Sequence, residues 1–207
     1  GMGEEDVEPT LLELWKKFLL NVHEAQDNYL YSEELFLETH FYEKIPEHIR
    51  PQMHRRLGQH YETTERDLLK AAFHFMRAGE IQHAAELATF ELALNLGRGR
   101  SRILRQVLES LKGFMFYSAL DVQVALALGQ VYSAIGQSKE ARVYLEKARK
   151  KFKVLSDARP EDRLLKADVY LTLGEYHEQY QDPTNSIPLF QQGLEVLGDL
   201  DKARRAA

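Results

Sequence analysis

One pattern of small, large and aromatic residues occurs twice in this 207-residue chain with the same internal spacing. The first copy reads A-x2-L-G-x2-Y-x8-A-x3-L-x2-A from Ala125 to Ala148, and the second reads Y-x2-L-G-x2-H-x8-S-x3-F-x2-G from Tyr170 to Gly193. Apolar spacings of three and four residues are typical of helices, and small residues allow two helices to approach closely. The chain therefore reuses one structural unit, a pair of packed helices.

The spacing resembles that of the tetratricopeptide repeat, in which antiparallel helix pairs stack into a superhelix. We predict an all-α fold, a right-handed superhelix of such pairs over residues 62–207. The two copies lie 45 residues apart, so the helices are expected to extend beyond the minimal unit of about 34 residues. In each pair a glycine, Gly129 or Gly174, is expected to let the first helix approach its partner, with Leu145 or Phe190 filling the space between them.

A small helical module is predicted over residues 1–61, ahead of the repeats. Its acidic first residues are expected to be disordered, and Tyr29-Leu30-Tyr31 is compatible with an edge strand or the wing of a winged-helix-like domain. Apolar residues at helical spacing predict helices between residues 11 and 45. The helix that Pro51 opens is expected to carry the apolar residues Met53, Leu57 and Tyr61.

Glycine and proline mark the ends of the later helices. Breaks are predicted at Ala78-Gly79-Glu80, from Gly97 to Gly99, at Gly136, and at Gln181-Asp182-Pro183. Pro160 is a strong helix start, because proline needs no N–H there and the two carboxylates that follow it favour the helix dipole. One continuous apolar stripe is predicted from Ala84 to Leu96.

Composition limits the classes of function. The formal net charge of -5 and the sequence pI of about 5.9 disfavour general binding to nucleic acid or anionic membranes. The chain contains no cysteine, which excludes disulfides and thiol catalysis and fits a reducing cytoplasm. No apolar run approaches membrane-spanning length. We expect a cytoplasmic chain that is part of a longer protein.

Three segments extend the resemblance to a particular branch of the repeat family. YLYSEELFLETHFYEKIPEHIRPQMHRRLGQHYE begins at Tyr29, LLKAAFHFMRAGEIQHAAELA begins at Leu68, and GRGRSRILRQVLESLKGFMFYSALDVQVALALGQVYSAIGQSKEARVYLEKA begins at Gly97. Their order resembles the superhelical domain of MalT-like transcription activators and other STAND signalling ATPases. One position departs from that pattern, since Glu33 stands where a histidine is common.

The resemblance implies a role in recognition. In that family the repeats sense a ligand or partner, whereas the ATPase and an output domain lie elsewhere. This chain has no G-x4-G-K-[ST] phosphate loop and no evident C-terminal helix-turn-helix. The resemblance implies a non-catalytic sensor or scaffold within a larger signalling or transcription-regulating ATPase. Its partner would be a protein or peptide, or the ATPase domain of the parent chain.

Neither a catalytic site nor a metal site is predicted. The chain has eight histidines, but none forms H-x3-H and no H-E-x-x-H occurs. The pairs Glu80/His83 and His40/Glu43 each lack a third ligand, so the histidines are interpreted as surface or capping residues. Paired carboxylates fall at predicted helix starts, where the dipole explains them. We predict a protein that is not an enzyme and has no cofactor or metal.

In a tetratricopeptide superhelix, the first helix of each pair lines the concave surface. The resemblance therefore places the candidate binding residues on these first helices. Counted from Gly129 and Gly174, its exposed positions are Gln123, Gln130, Ser133, Asp168, Glu175, Glu178 and Gln179. This polar and acidic lining favours a partner that is basic or rich in hydrogen-bond donors. It lacks the Lys/Asn pattern of the repeats that clamp acidic peptide tails. A simply solvated face is the alternative interpretation.

Two basic runs, residues 98–105 and 147–153, suggest an alternative function. The simpler interpretation of the second run is a favourable charge at a helix C-terminus. The alternative is a nucleic-acid-binding helical repeat, which requires the two runs to join into one stripe. It also requires exposed aromatic residues between the basic ones, whereas Phe152 follows the predicted core stripe. Nucleic acid is therefore the less favoured partner.

Overall fold

A computed structural model describes residues 45–116, 118–181 and 183–206. The chain divides into two compact units, Gly1–Ile49 and Arg50–Ala207. In the first unit the described part is a short turn, in which the Ile49 N–H donates to the Pro46 carbonyl over 2.9 Å. The helices predicted between residues 11 and 45, the step at Tyr29-Leu30-Tyr31 and the disordered first residues lie outside the described residues.

All regular secondary structure in the described part of the second unit is helical, with no strand, which confirms the all-α prediction. Its helices are α1 (Arg50–His60), α2 (Leu68–Arg77), α3 (Ile81–Phe90), α4 (Leu92–Gly97), α5 (Ser101–Leu111), α6 (Ala119–Ala134), α7 (Ser138–Lys150), α8 (Pro160–Tyr180) and α9 (Ser186–Ala206). Short turns of other helix types follow α1 and α7 and precede α9. The helix start at Pro160 and the break after Tyr180 lie where the sequence places them.

The helices pack as pairs that follow one another along the chain. α2 pairs with α3, α6 with α7 and α8 with α9, and α8 also packs on both helices of the preceding pair. α5 links the first pair to α6, and α1 packs on α2. Helix α1 therefore belongs to the same compact unit as the repeats, although it falls within the predicted module 1–61. The right-handed sense of the superhelix stays a prediction.

Three of the helices end in the same way, with a glycine just after the C-terminal cap. The glycine after each helix adopts a left-handed conformation that side chains disfavour: Gly79 (φ 84°), Gly99 (φ 72°) and Gly136 (φ 76°). The N–H of the next residue then donates to the carbonyl five residues earlier, at 2.9–3.0 Å. This is the Schellman arrangement, which satisfies carbonyls at the end of a helix. It confirms the breaks predicted at these glycines.

The repeat pattern itself marks close contacts between paired helices. A Cβ atom built on Gly129 would lie 2.5 Å from Leu145 Cδ2, and one built on Gly174 would lie 2.5 Å from Phe190 Cε1. Both distances are far shorter than the ordinary contact between carbon atoms. Each glycine therefore makes room for the large residue of the partner helix, as the repeat pattern predicts.

The apolar stripe from Ala84 to Leu96 does not form one helix. α3 ends at Phe90, and α4 begins at Leu92 after a turn at Glu91. Asn95, which is buried, faces inward and donates from Nδ2 to the Glu91 carbonyl over 2.9 Å. Its side chain is thus satisfied within the bend.

Helix α1 packs through a face that its hydrophobic pattern does not indicate. Met53 and Leu57 are each 40% exposed, whereas His54 and Gly58 are buried. A Cβ on Gly58 would come within 3.0 Å of the Phe75 ring, so glycine lets α1 approach α2 closely. The helix carries Met53 and Leu57 as expected, but the residues one position later form the tightest contact, because close backbone approach at Gly58 decides it.

A histidine pair completes this contact, and it corrects the interpretation of the histidines as surface residues. His54 Nδ1 lies 2.9 Å from His74 Nδ1, so one ring donates while the other accepts. The His74 ring also stacks on Tyr61 at a centroid distance of 5.3 Å. Burial, helped by the neighbouring charges of His54, Lys70 and Arg77, lowers the pKa of His74 from 6.5 to about 4.

This depressed pKa predicts a loss of stability on acidification. Between pH 6.5 and about 4, the His74 ring is protonated in the unfolded chain but neutral in the folded one. The free energy of unfolding should therefore fall as the pH falls through this window, by on the order of 1–3 kcal/mol. Urea unfolding at several pH values measures this dependence. His74→Gln should flatten the pH dependence of the free energy of unfolding. His60→Gln is the control that should leave this dependence unchanged, because the His60 side chain is 51% exposed.

Candidate functional site

A groove of about 380 Å³ lies between α6 and α8, the first helices of two successive pairs. Its walls are mostly polar and aromatic side chains. The lining residues are Gln130, Ser133, Ala134, Gly136, Thr172, Glu175, Tyr176, Gln179 and Tyr180. The groove thus occupies the surface on which the repeat resemblance places partner binding.

Two hydrogen bonds hold the walls of the groove together. The Gln130 side-chain amide donates to the Thr172 hydroxyl over 3.2 Å. The Tyr180 hydroxyl donates to the Ser133 carbonyl over 2.9 Å, which places its ring at one end of the groove. Both bonds join α6 to α8, so they fix the two walls relative to each other.

The structure brings together four of the seven predicted binding residues. Gln130 and Ser133 lie on one wall, and Glu175 and Gln179 lie on the other. Seven residues return to nearly the same side of a helix. Gln123 and Asp168, seven residues before Gln130 and Glu175, therefore continue the two walls beyond the groove. All three residues outside the groove, Gln123, Asp168 and Glu178, are exposed.

Glu178 lies outside the groove for a geometric reason. It follows Glu175 by three residues and is therefore rotated by about 60° around the axis of α8. Its side chain is exposed but does not line the groove. Gln130 and Ser133, which were predicted to be exposed, are half-buried, because α8 packs next to them.

Sequence reasoning missed Thr172, Tyr176 and Tyr180, three further residues of the groove. Tyr176 and Tyr180 lie four residues apart on α8, a spacing that is typical of core packing. Tyr176 is buried, in agreement with that spacing. Thr172 is half-buried. No sequence signal distinguishes a residue that lines the groove from one that packs in the core beside it.

The charge of the groove is negative. Glu175 is the one ionisable carboxyl group among its lining residues, and no lysine, arginine or histidine lines it. Nearby on α8, desolvation of the Asp168 carboxyl group by neighbouring protein atoms raises its pKa. The groove offers amide and hydroxyl groups around one carboxylate. It contains no base paired with a nucleophile, and no cluster of three metal-ligating side chains occurs among the described residues. Such a surface is suited to recognition.

The two basic runs are partly neutralised by carboxylates. The ion pairs are Arg100 with Asp67, Arg105 with Glu109, Arg149 with Glu146, and Lys151 with Asp121. Phe152 packs edge-on against the Tyr170 ring and is half-buried, as the core stripe predicts. These pairings remove part of the charge that a nucleic-acid stripe needs.

Comparisons of the chain with protein-family models, with curated proteins and with solved structures give no significant match. In the part of the chain that the structure describes, no helix has both the length and the apolar character required to cross a membrane.

Proposed function

We propose that this chain is a non-catalytic recognition domain that binds a basic protein or peptide in the groove between α6 and α8. The resemblance in sequence to MalT-like repeats supports placing it in a larger signalling or transcription-regulating ATPase. The absence of cysteine fits a cytoplasmic location. In this proposal the domain senses a partner, and the parent protein supplies the output.

The observation that carries the proposal is the groove itself. Its walls are tied by the Gln130–Thr172 and Tyr180–Ser133 hydrogen bonds, and Glu175 provides a carboxylate without a compensating cation among the lining residues. A lysine or arginine of a partner would pair with Glu175, while the amides and the Thr172 hydroxyl would bind backbone groups. A preformed groove lowers the cost of ordering the protein on binding.

The proposal is tested by reversing the charge of one groove residue. Glu175→Lys should reduce recovery of the native partner by about tenfold, because one wall would then repel a basic side chain. Quantitative affinity purification from cells that express the full-length parent protein measures recovery, with the melting temperature of each variant as the folding check.

Glu178→Lys is the matched control, since it makes the same change on the same helix outside the groove. A partner retained by Glu178→Lys and lost by Glu175→Lys supports the proposal. Equal recovery with both variants would place the binding surface elsewhere on the domain.

A further inference from the structure

A second surface lies at the opposite end of α6, where the loop after α5 meets the end of α7. It surrounds a notch of about 20 Å³, too small to hold a side chain. The notch is lined by Leu111, Lys112, Phe114, Phe116, Asp121, Val124, Ala125, Leu128, Tyr144, Lys147 and Lys151. We call these residues the basic-aromatic patch. A partner would lie across this patch, with the notch beneath it.

The charge of the patch is positive. Lys151 Nζ lies 3.0 Å from Asp121 Oδ1, so this lysine is compensated. Lys112 and Lys147 are exposed and have no carboxylate partner among the described residues. Lys147 Nζ instead lies over the Tyr144 ring, 5.8 Å from its centroid. Lys112 and Lys147 therefore lie beside an aromatic surface.

One apolar residue of the patch, Phe114, is exposed to solvent, and its loop is held in place by hydrogen bonds. Phe114, which lines the notch, is 48% exposed. Its N–H donates to the Leu111 carbonyl over 3.1 Å. Two residues later, the Phe116 N–H donates to Asp121 Oδ1 over 3.4 Å. The buried Asp121 carboxylate thus binds both the aromatic loop and Lys151, which fixes the loop against the end of α7.

The patch is independent of the groove. Its residues on α6 are Asp121, Val124, Ala125 and Leu128, whereas the groove uses Gln130, Ser133 and Ala134. At about 100° per residue, these two sets lie on opposite faces of the helix. Their charges are also opposite, because the groove has Glu175 and the patch has Lys112 and Lys147. A partner that suits one surface does not suit the other.

We infer that the basic-aromatic patch docks an acidic peptide segment that carries an apolar or aromatic side chain. The apolar side chain packs against Phe114, and flanking carboxylates pair with Lys112 and Lys147. Aromatic anchors surrounded by complementary charge are the usual centre of a peptide-binding surface.

The small extent of the positive charge favours a peptide over nucleic acid as the partner of the patch. Binding to a nucleic-acid backbone needs a basic stripe several phosphates long. In this chain the neighbouring residues Arg149 and Lys151 are paired with Glu146 and Asp121, and the net charge of the whole chain is -5. Two further exposed lysines, Lys150 and Lys153, lie at and just after the end of α7. Around the patch the exposed positive charge is therefore confined to Lys112 and this end of α7, which matches a short acidic segment.

Fluorescence anisotropy with defined probes tests the inference on the full chain. The first probe is a labelled peptide with a Leu-Phe pair flanked by glutamates, and the second has glutamines in place of the glutamates. The third is a labelled oligothymidylate of similar length. The acidic peptide should bind at least about tenfold more tightly than the other two. Phe114→Ser and Lys147→Glu should each weaken binding of the acidic peptide by about tenfold, which is the effect of losing one anchor.

Two control variants lie on α7 outside the patch. Val143→Ser replaces another exposed apolar residue, and Lys139→Glu reverses another exposed lysine. Both should bind the acidic peptide as the wild type does. Absence of binding to the acidic peptide, equal loss in the control variants, or tighter binding of oligothymidylate would each overturn the inference. Because Glu175→Lys lies on the other face, it should leave this peptide's affinity unchanged or weaken it by less than twofold.

Discussion

Gly129→Leu should lower the free energy of unfolding by on the order of 1–3 kcal/mol through overpacking. The new Cβ alone would lie 2.5 Å from Leu145 Cδ2, 2.6 Å from its Cγ and 3.3 Å from its backbone nitrogen. Leu145 is fully buried, so its side chain cannot move into solvent without leaving the core. α6 and α7 would have to separate, which would weaken the packing between them.

Two control substitutions isolate the close contact from the change in residue type. Gly97→Leu makes the same replacement at a helical glycine with no neighbouring atom within 4 Å, and it should be neutral or slightly stabilising. Gln130→Leu changes the next residue and should cost less than Gly129→Leu. Thermal unfolding should show a decrease of about 2–4 °C per kcal/mol in a chain of this size. Indistinguishable melting temperatures for all three variants would disprove the helix register.

Arg100→Met should have an effect of similar size. Arg100 Nη2 donates to both carboxylate oxygens of Asp67, at 2.9 and 2.8 Å, and Nη1 donates to Asn95 Oδ1 over 3.2 Å. Both charged side chains are only about a fifth exposed, at 22% and 21%. Loss of Arg100 leaves the Asp67 carboxylate and the buried Asn95 amide short of partners, at a cost of about 1–3 kcal/mol.

A double-mutant cycle separates the ion pair from other roles of its members. Asp67 also caps α2 by accepting from the Lys70 N–H over 3.1 Å, so Asp67→Asn keeps a capping oxygen while it removes the charge. The double variant should be more stable than the sum of the two single changes implies, with a coupling energy of about 0.5–3 kcal/mol. Arg102→Met, at an exposed position of the same basic run, is the control. Additive effects in urea unfolding would show that the pair contributes little.

The local chemistry of the chain determined most of the helical architecture. The repeated offsets predict the pairs α6/α7 and α8/α9, because a small residue opposite a large one is a requirement of close helix packing. The ends at Gly79, Gly99 and Gly136 are predictable, since a left-handed residue is needed there and glycine adopts that conformation at least cost. These features depend on neighbouring residues and on a fixed helical period, which the sequence displays directly.

The candidate site was predictable only in part. Helical periodicity places Gln130 and Glu175 on the correct faces of α6 and α8. It does not show that Thr172 and Tyr180 complete the groove, because their partners lie 42 and 47 residues away in the chain. It also does not show that Arg100 pairs with Asp67, 33 residues earlier.

The tertiary structure alone decided which of two adjacent faces of α1 is buried and which charges remain free. The apolar side chains Met53 and Leu57 predict one face, but Gly58 allows the closer backbone approach and His54 finds a hydrogen-bond partner in His74. The same reason separates Lys147 from Lys151, which are indistinguishable in a run of basic residues until Asp121 pairs with one of them. A hydrogen bond or ion pair between distant residues depends on how the helices stack, and helical periodicity contains no information about that stacking.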